Sequence, residues 1–270
     1  MVTDVRRLGR HDHVCWGFDD DAAFRVAAVS FLDAGLALGQ RVRYVGEPDD
    51  GVHTALTGAR PGAVEVVPVT RQYATGTSVD PRDQIAAYAA ATADALAAGF
   101  TGLRVATDVT ALVGVPGRLD AAARYEHQVD HLMVRQPLSA MCAYNLTVLG
   151  ADALAQLATM HPLASGSAAA PFRLHASSSP GCAAAIGGEL DCSSADLLDL
   201  ALERADLRPV DGELVLDAAE LTFVDPGRLA VLAEHARRLD AVLVLRTDQP
   251  VPRTLVRLLG WENVRIEPAP

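Results

Sequence analysis

The sequence predicts two successive α/β domains, the first built on a parallel sheet. Two observations carry this. Short apolar runs alternate with amphipathic stretches of helical period, and the strand–helix–strand order they make is that of right-handed parallel crossovers. A run of small residues, Ser165-Gly-Ser-Ala-Ala-Ala-Pro171, then interrupts the alternation and reads as a linker. The predicted boundaries are a first domain at 1–165, a linker at 166–170 and a second domain at 171–270.

The elements follow in order. His11-Asp-His-Val-Cys15 opens a strand, and Asp19 to Asp21 can cap a helix over 21–39 whose buried face is Phe24, Ala28, Phe31, Leu32 and Gly35. A strand at 41–45 stops at Gly46-Glu47-Pro48, a weak helix is expected near 50–58, and a short strand at 64–69. Residues 71–80 read as a polar loop. Pro81 suits the first position of a strong helix over 81–98. The strand at 103–106 delivers Thr107 and Asp108 at its carboxyl end. A Gly/Pro loop at 114–117 precedes a helix at 119–134, a strand at 138–145 and a short helix at 151–159 before His161-Pro162. The second domain is expected to hold strands at 172–176, 183–187, 214–216 and 242–245, with helices at 194–206, 226–239 and 251–259.

Composition excludes several functions. The net charge is −11, and both parts are acidic: 13 Arg against 18 acids up to Ser165, then 10 against 16. That balance argues against binding a phosphate backbone, so no nucleic-acid partner is expected. All 23 basic residues are arginine. Without lysine there is no P-loop and no Schiff-base chemistry. No apolar run reaches membrane-spanning length and no signal pattern opens the chain, so a cytoplasmic protein without membrane attachment is expected. Cys15, Cys142, Cys182 and Cys192 form no CxxC pair and read as reduced thiols.

His11, His13 and Cys15 alternate, so a strand places them on one face. Imidazole and thiol so placed suit zinc or copper, or a nucleophile with its base; a buried, purely structural cysteine fits equally. His127 and His131 lack the acidic neighbour and third ligand of a zincin and read as surface residues.

In the second domain, Ile186-Gly-Gly-Glu-Leu-Asp191 and Leu214-Val-Leu-Asp through Phe223-Val-Asp-Pro-Gly-Arg-Leu229 resemble a STAS domain, the fold of anti-sigma factor antagonists. The closing stretch Val256 to Ile266 resembles that family's last helix and strand. The resemblance implies a switch turn, a partner-binding surface at Asp225, Pro226, Gly227 and Arg228, and an anti-sigma factor or related signalling protein as partner. The family carries a phosphorylatable serine in this turn. Pro226 and Gly227 accept no phosphoryl group, so switching there by phosphorylation is not expected.

In the first domain, His13-Val-Cys15, Phe31-Leu-Asp-Ala-Gly-Leu36, Tyr44-Val-Gly-Glu47, Gly99 through Asp108, Tyr125-Glu126, Met141-Cys-Ala-Tyr144 and His161-Pro162 together resemble the MEDS family of sensory domains. That resemblance implies a RecA/KaiC-like α/β core without a working nucleotide site. The missing lysine agrees independently. Ligands of open parallel sheets lie beyond the carboxyl ends of the strands. A pocket lined by His13, Cys15, Asp108, Glu126, Tyr144 and His161 is therefore expected.

The expected function is a non-enzymatic signalling regulator, in which a domain sensing a small molecule or redox state controls a STAS-like output and thereby transcription. No cofactor is named by the sequence, and homodimerisation stays open. Two alternatives stand beside it: a metal-binding sensor using His11, His13 and Cys15, with His161 as a further candidate ligand, and a hydrolase with Cys15 as nucleophile and His13 or His161 as base.

Overall fold

A computed structural model describes residues 1–47, 51–56, 59–72, 81–115 and 117–269. The chain divides into two compact units, Met1–Ala169 and Ala170–Pro270.

The first unit begins with a 3-10 turn at Val5–Arg7, followed by β1 (His13–Phe18), α1 (Asp21–Ala37), β2 (Arg41–Val45), α2 (Val52–Ala55), β3 (Val64–Val67), α3 (Val69–Gln72) and α4 (Pro81–Ala97). Next come β4 (Leu103–Asp108), α5 (Thr110–Val113), α6 (Arg118–Arg135), β5 (Leu138–Asn145), α7 (Leu146–Leu149), α8 (Ala151–Ala158) and β6 (Leu163–Ala164). The third strand ends at Val67, earlier than expected, because Pro68 cannot extend the ladder. Much of the loop expected at 71–80 lies outside the described residues, as do Pro48, Pro116 and parts of the weak helix near 50–58.

The six strands form one sheet in the order β3-β2-β4-β5-β1-β6, and every pairing in it is parallel. Such a sheet needs cover on both faces. On one face Val14, Phe18, Met141 and Ala143 pack against Phe24, Ala28, Phe31 and Leu32 of α1. This side also buries a full charge. Arg104 donates to Gln40 Oε1 (2.8 Å) and to the carbonyls of Leu8 (2.7 Å), Gly9 (2.8 Å) and Phe31 (3.2 Å). α1 can lie this close only because residue 35 is glycine: a Cβ there would stand 2.6 Å from Arg104 Cδ. The opposite face is covered by α4, α6 and α8.

The second unit contains β7 (Phe172–His175), β8 (Ala184–Leu190), a 3-10 turn at Cys192–Ser194, α9 (Ala195–Arg204), β9 (Glu213–Asp217), β10 (Leu221–Val224), α10 (Pro226–Arg238), β11 (Val242–Arg246), α11 (Pro250–Leu259) and β12 (Val264–Glu267). Five strands run parallel in the order β10-β8-β9-β11-β12, and β7 lies antiparallel to β8, so the sheet is mixed. α10 starts where β10 ends. Asp225 is its N-cap, its Oδ1 accepting from the Arg228 amide at 2.7 Å, and Pro226 fills N1. Pro226 and Gly227 are exposed, and Arg228 is half-buried. Among the described residues no helix is long and apolar enough to cross a membrane.

Candidate functional site

The face of the sheet beneath α6 is not purely apolar. Strand alternation turns His13 and Cys15 of β1 toward it, together with Cys142 and Tyr144 of β5, and register pairs Cys15 with Cys142. From above, the buried stripe of α6 contributes Ala123, Glu126, His127, Val129, Asp130 and Met133. This spacing places Glu126 and Asp130 one turn apart over the strands. α8 rests so tightly on β1 that a Cβ on Gly17 would stand 2.9 Å from Leu154 Cδ2. The chain leaving α8 then seats His161 over the same face. Its ring lies 4.1 Å from that of His13, centroid to centroid.

Four side chains meet at one point. His13 Nε2 stands 3.2 Å from Glu126 Oε2, and His161 Nε2 stands 3.6 Å from the same oxygen. Cys142 Sγ lies 3.5 Å from both His13 Nε2 and Glu126 Oε2. His13, Glu126, Cys142 and His161 are all buried. Three of them are held by a further contact: His13 Nδ1 is 3.2 Å from Asp130 Oδ1, His161 Nδ1 is 2.8 Å from the Leu157 carbonyl, and Tyr144 donates to Glu126 Oε1 at 2.6 Å. Tyr144 also packs edge-on against His161.

The electrostatics follow from burial and these contacts. Burial disfavours a charge on His13, but hydrogen bonds with Asp130, Cys142 and Glu126 outweigh it and hold the imidazole well above its ordinary value. Burial would likewise raise Glu126, yet His13, the charge environment of His161 and the Tyr144 hydroxyl hold it below the usual range. His161 is pushed down to about 4, by burial first and then by the charge on His13. Burial and the neighbouring Glu126 push the Cys142 thiol up to about 12; burial, Cys142 and Glu126 push Cys15 up as well. These shifts favour the protonated form of His13 beside Glu126, with a neutral His161 imidazole and protonated thiols.

Of the six residues expected in a pocket, the structure brings His13, Glu126, Tyr144 and His161 into direct contact and places Cys15 beside Cys142. Asp108 is not in this group. It sits at the end of β4, where its carboxylate accepts from the Thr110 amide at 2.9 Å, and burial raises it with Asp21 contributing. The site lies against the middle of the sheet and not beyond its carboxyl ends. At the carboxyl end of β1 the N-terminus of α1 is occupied by its own Asp20, which accepts from the Ala22 and Ala23 amides (3.3 and 3.0 Å). Asp19 and Asp21 flank it, an acidic setting that repels phosphate.

His11 is also apart, its Nδ1 2.8 Å from the Met133 carbonyl. His127 is buried, contrary to its surface assignment, and its ring meets His131 at 5.0 Å. Cys142 and Asp130 were missed as site residues. The signals were present: Cys142 alternates with Tyr144, and Asp130 repeats Glu126 after four positions on one helix face. A cavity of about 20 Å³, room for about one water, adjoins Glu126 and Cys142. Thr107 lines it, and its Oγ1 has no hydrogen-bond partner among the described residues.

The family model for MEDS, the methanogen/methylotroph DcmR sensory domain, matches residues 12–162. The chain belongs to the MEDS family. That match spans every member of the cluster, from His13 to His161. No curated protein and no solved structure matched the chain. The MEDS family is sensory, which gives the protein a signalling role; the second unit lies outside the match.

Proposed function

We propose that this chain is a non-enzymatic, cytoplasmic signalling regulator whose MEDS unit senses a small molecule or redox state and sets the activity of a STAS-like second unit. The observation that carries the reading is the coincidence of the sensory family match with a buried polar cluster on one sheet face. A fully buried cluster of this kind has to be satisfied by something in each state of the protein, so its occupancy changes packing around α6 and α8.

Several features support a binding role over a catalytic one. Both thiols in the first unit are buried and held upward, so neither is a thiolate ready to attack. The acidic cap on α1 and the missing lysine suit a RecA/KaiC-like core that has lost nucleotide handling. For the second unit, the STAS-like reading is supported by the order of strand, acidic turn and leucine-bearing helix, and by the Asp225-Pro226-Gly227-Arg228 turn at the head of α10. In this reading the turn faces an anti-sigma factor or related regulator. With no hydroxyl to phosphorylate at Pro226 or Gly227, the state of the first unit replaces the phosphoswitch.

The test is capture of partners from a native extract by the full chain, with the captured proteins identified by mass spectrometry. Recovery of an anti-sigma factor, lost on Asp225→Lys in the turn, is the expected result. Recovery of no signalling protein under reducing, oxidising or metal-supplemented conditions removes the reading.

A further inference from the structure

We propose that the buried cluster is a binding site for one divalent transition-metal ion of zinc's class, with His13 Nε2, His161 Nε2, Glu126 Oε2 and Cys142 Sγ as its four ligands. The inference deepens the sensory reading and rests on it for what the ion's arrival does.

The donor set is the first argument. Two imidazoles, a carboxylate and a thiol are the ligands zinc takes, and these four atoms lie within 4.8 Å of one another. The second argument is their spacing. For a tetrahedral ion with metal–N/O bonds near 2.05 Å and a metal–S bond near 2.3 Å, N/O ligand pairs stand about 3.3 Å apart and S–N or S–O pairs about 3.6 Å apart. The edges are 3.2 and 3.6 Å for the two His–Glu pairs and 3.5 Å from Cys142 Sγ to both His13 Nε2 and Glu126 Oε2. The remaining two edges, from His161 Nε2 to His13 Nε2 and to Cys142 Sγ, lie within 4.8 Å.

The outer contacts are those a metal site needs. Each ligating histidine turns its other ring nitrogen to an acceptor, Asp130 for His13 and the Leu157 carbonyl for His161. That leaves Nε2 of both rings directed inward. Glu126 keeps one oxygen for Tyr144 and presents the other to the cluster. The decisive detail is His161: its Nε2 is completely buried and makes no hydrogen bond among the described residues. An orphaned buried nitrogen costs free energy unless something pairs with it. A metal ion does so.

Charge agrees. A divalent ion with one carboxylate, one thiolate and two neutral imidazoles forms a neutral first shell, which suits complete burial. Four protein ligands leave no open position, so the site retains an ion and activates no water. The ligand set is also not the one expected from the His11–Cys15 stretch. Of those three residues only His13 takes part, because the other ligands arrive from α6, β5 and the segment after α8.

The test uses the untagged full chain, stripped with a chelator and titrated with Zn²⁺ or with Co²⁺ as a spectroscopic reporter. One equivalent is expected to bind, with the intense visible d–d bands of tetrahedral cobalt and a near-ultraviolet sulfur-to-cobalt charge-transfer band. Cys142→Ser should lose the charge-transfer band, and Cys192→Ser should keep it. His161→Gln should weaken binding by more than the roughly 10- to 100-fold that losing an outer partner costs, with an unchanged far-ultraviolet circular dichroism spectrum. If Cys142→Ser does not fold, His161→Gln decides alone. Failure of the wild type to bind one equivalent, or a charge-transfer band that follows Cys15 and survives Cys142→Ser, overturns the site. Partner capture on the same samples separates the two readings. Ion binding without a partner overturns the sensory reading and leaves the site standing; partner capture without any bound ion does the reverse.

Discussion

Asp130 meets His13 Nδ1 at 3.2 Å, and one helical turn earlier on α6 Glu126 meets the opposite ring nitrogen at the same distance. The imidazole is thus gripped at both ends by one helix, with Asp130 fixing the ring so that Nε2 points into the cluster. Asp130→Asn should leave the fold intact and weaken ion binding by roughly 10- to 100-fold, the cost of losing an outer partner. A competition titration against a chromophoric chelator measures it. Equal affinities would mean that Asp130 does not orient the ligand.

His161 makes the metal-free protein acid-sensitive. Its folded value is about 4, whereas in the unfolded chain it returns to about 6.5. As pH falls between those values the unfolded state takes up the proton first, so stability present above pH ~6.5 is lost progressively. By pH 5 the loss is about 2 kcal/mol. Urea midpoints of chelator-treated protein at pH 7 and pH 5 should therefore separate more for the wild type than for His161→Gln. Parallel shifts in the two proteins would show that His161 is not held neutral.

Gly35 packs α1 directly against the Arg104 side chain of the sheet. Alanine is the better helix former by about 1 kcal/mol, so Gly35→Ala would stabilise a free helix. Here its methyl meets the buried Arg104 side chain, and a net destabilisation of about 1–3 kcal/mol is expected. Arg104→Leu should cost more, because it strands the Leu8, Gly9 and Phe31 carbonyls that Arg104 serves. Thermal denaturation ranks the two, and a stabilised Gly35→Ala would refute the joint.

The turn before α10 should behave as a fixed cap. Thr222, the one hydroxyl in 222–229, donates to the Gly188 carbonyl at 2.9 Å. After incubation with a kinase acting on STAS-type partners, mass spectrometry should find no phosphate on this peptide. Asp225→Ala should cost about 1 kcal/mol through the lost cap, read from chemical denaturation of the full chain.

Much of the fold was legible because its long elements carry their own period. α1, α4, α6, β4 and β5 lie within a few residues of their expected places. The four-residue helices α2, α3, α5 and α7 are too short to show a period, and only α2 was anticipated. The site was legible in part. His13, Glu126, Tyr144 and His161 were named together, but through a rule about the carboxyl ends of strands that drew in Asp108, which instead accepts from the Thr110 amide at the start of α5. The register that sets Cys142 beside Cys15 is a tertiary fact, and only it reveals that the cluster lies under α6. Asp130 was hidden for a related reason, since an acidic residue on a helix reads as solvated until the buried face is known.

In the proposed function the cluster in the MEDS unit governs what the second unit binds. The most direct measurement is the affinity of the full chain for its captured partner, compared between wild type and His161→Gln with Zn²⁺ present. Coupled sites differ by about fivefold or more, and a change of at least that size is the expected result. Equal affinities in two well-folded proteins would contradict the account.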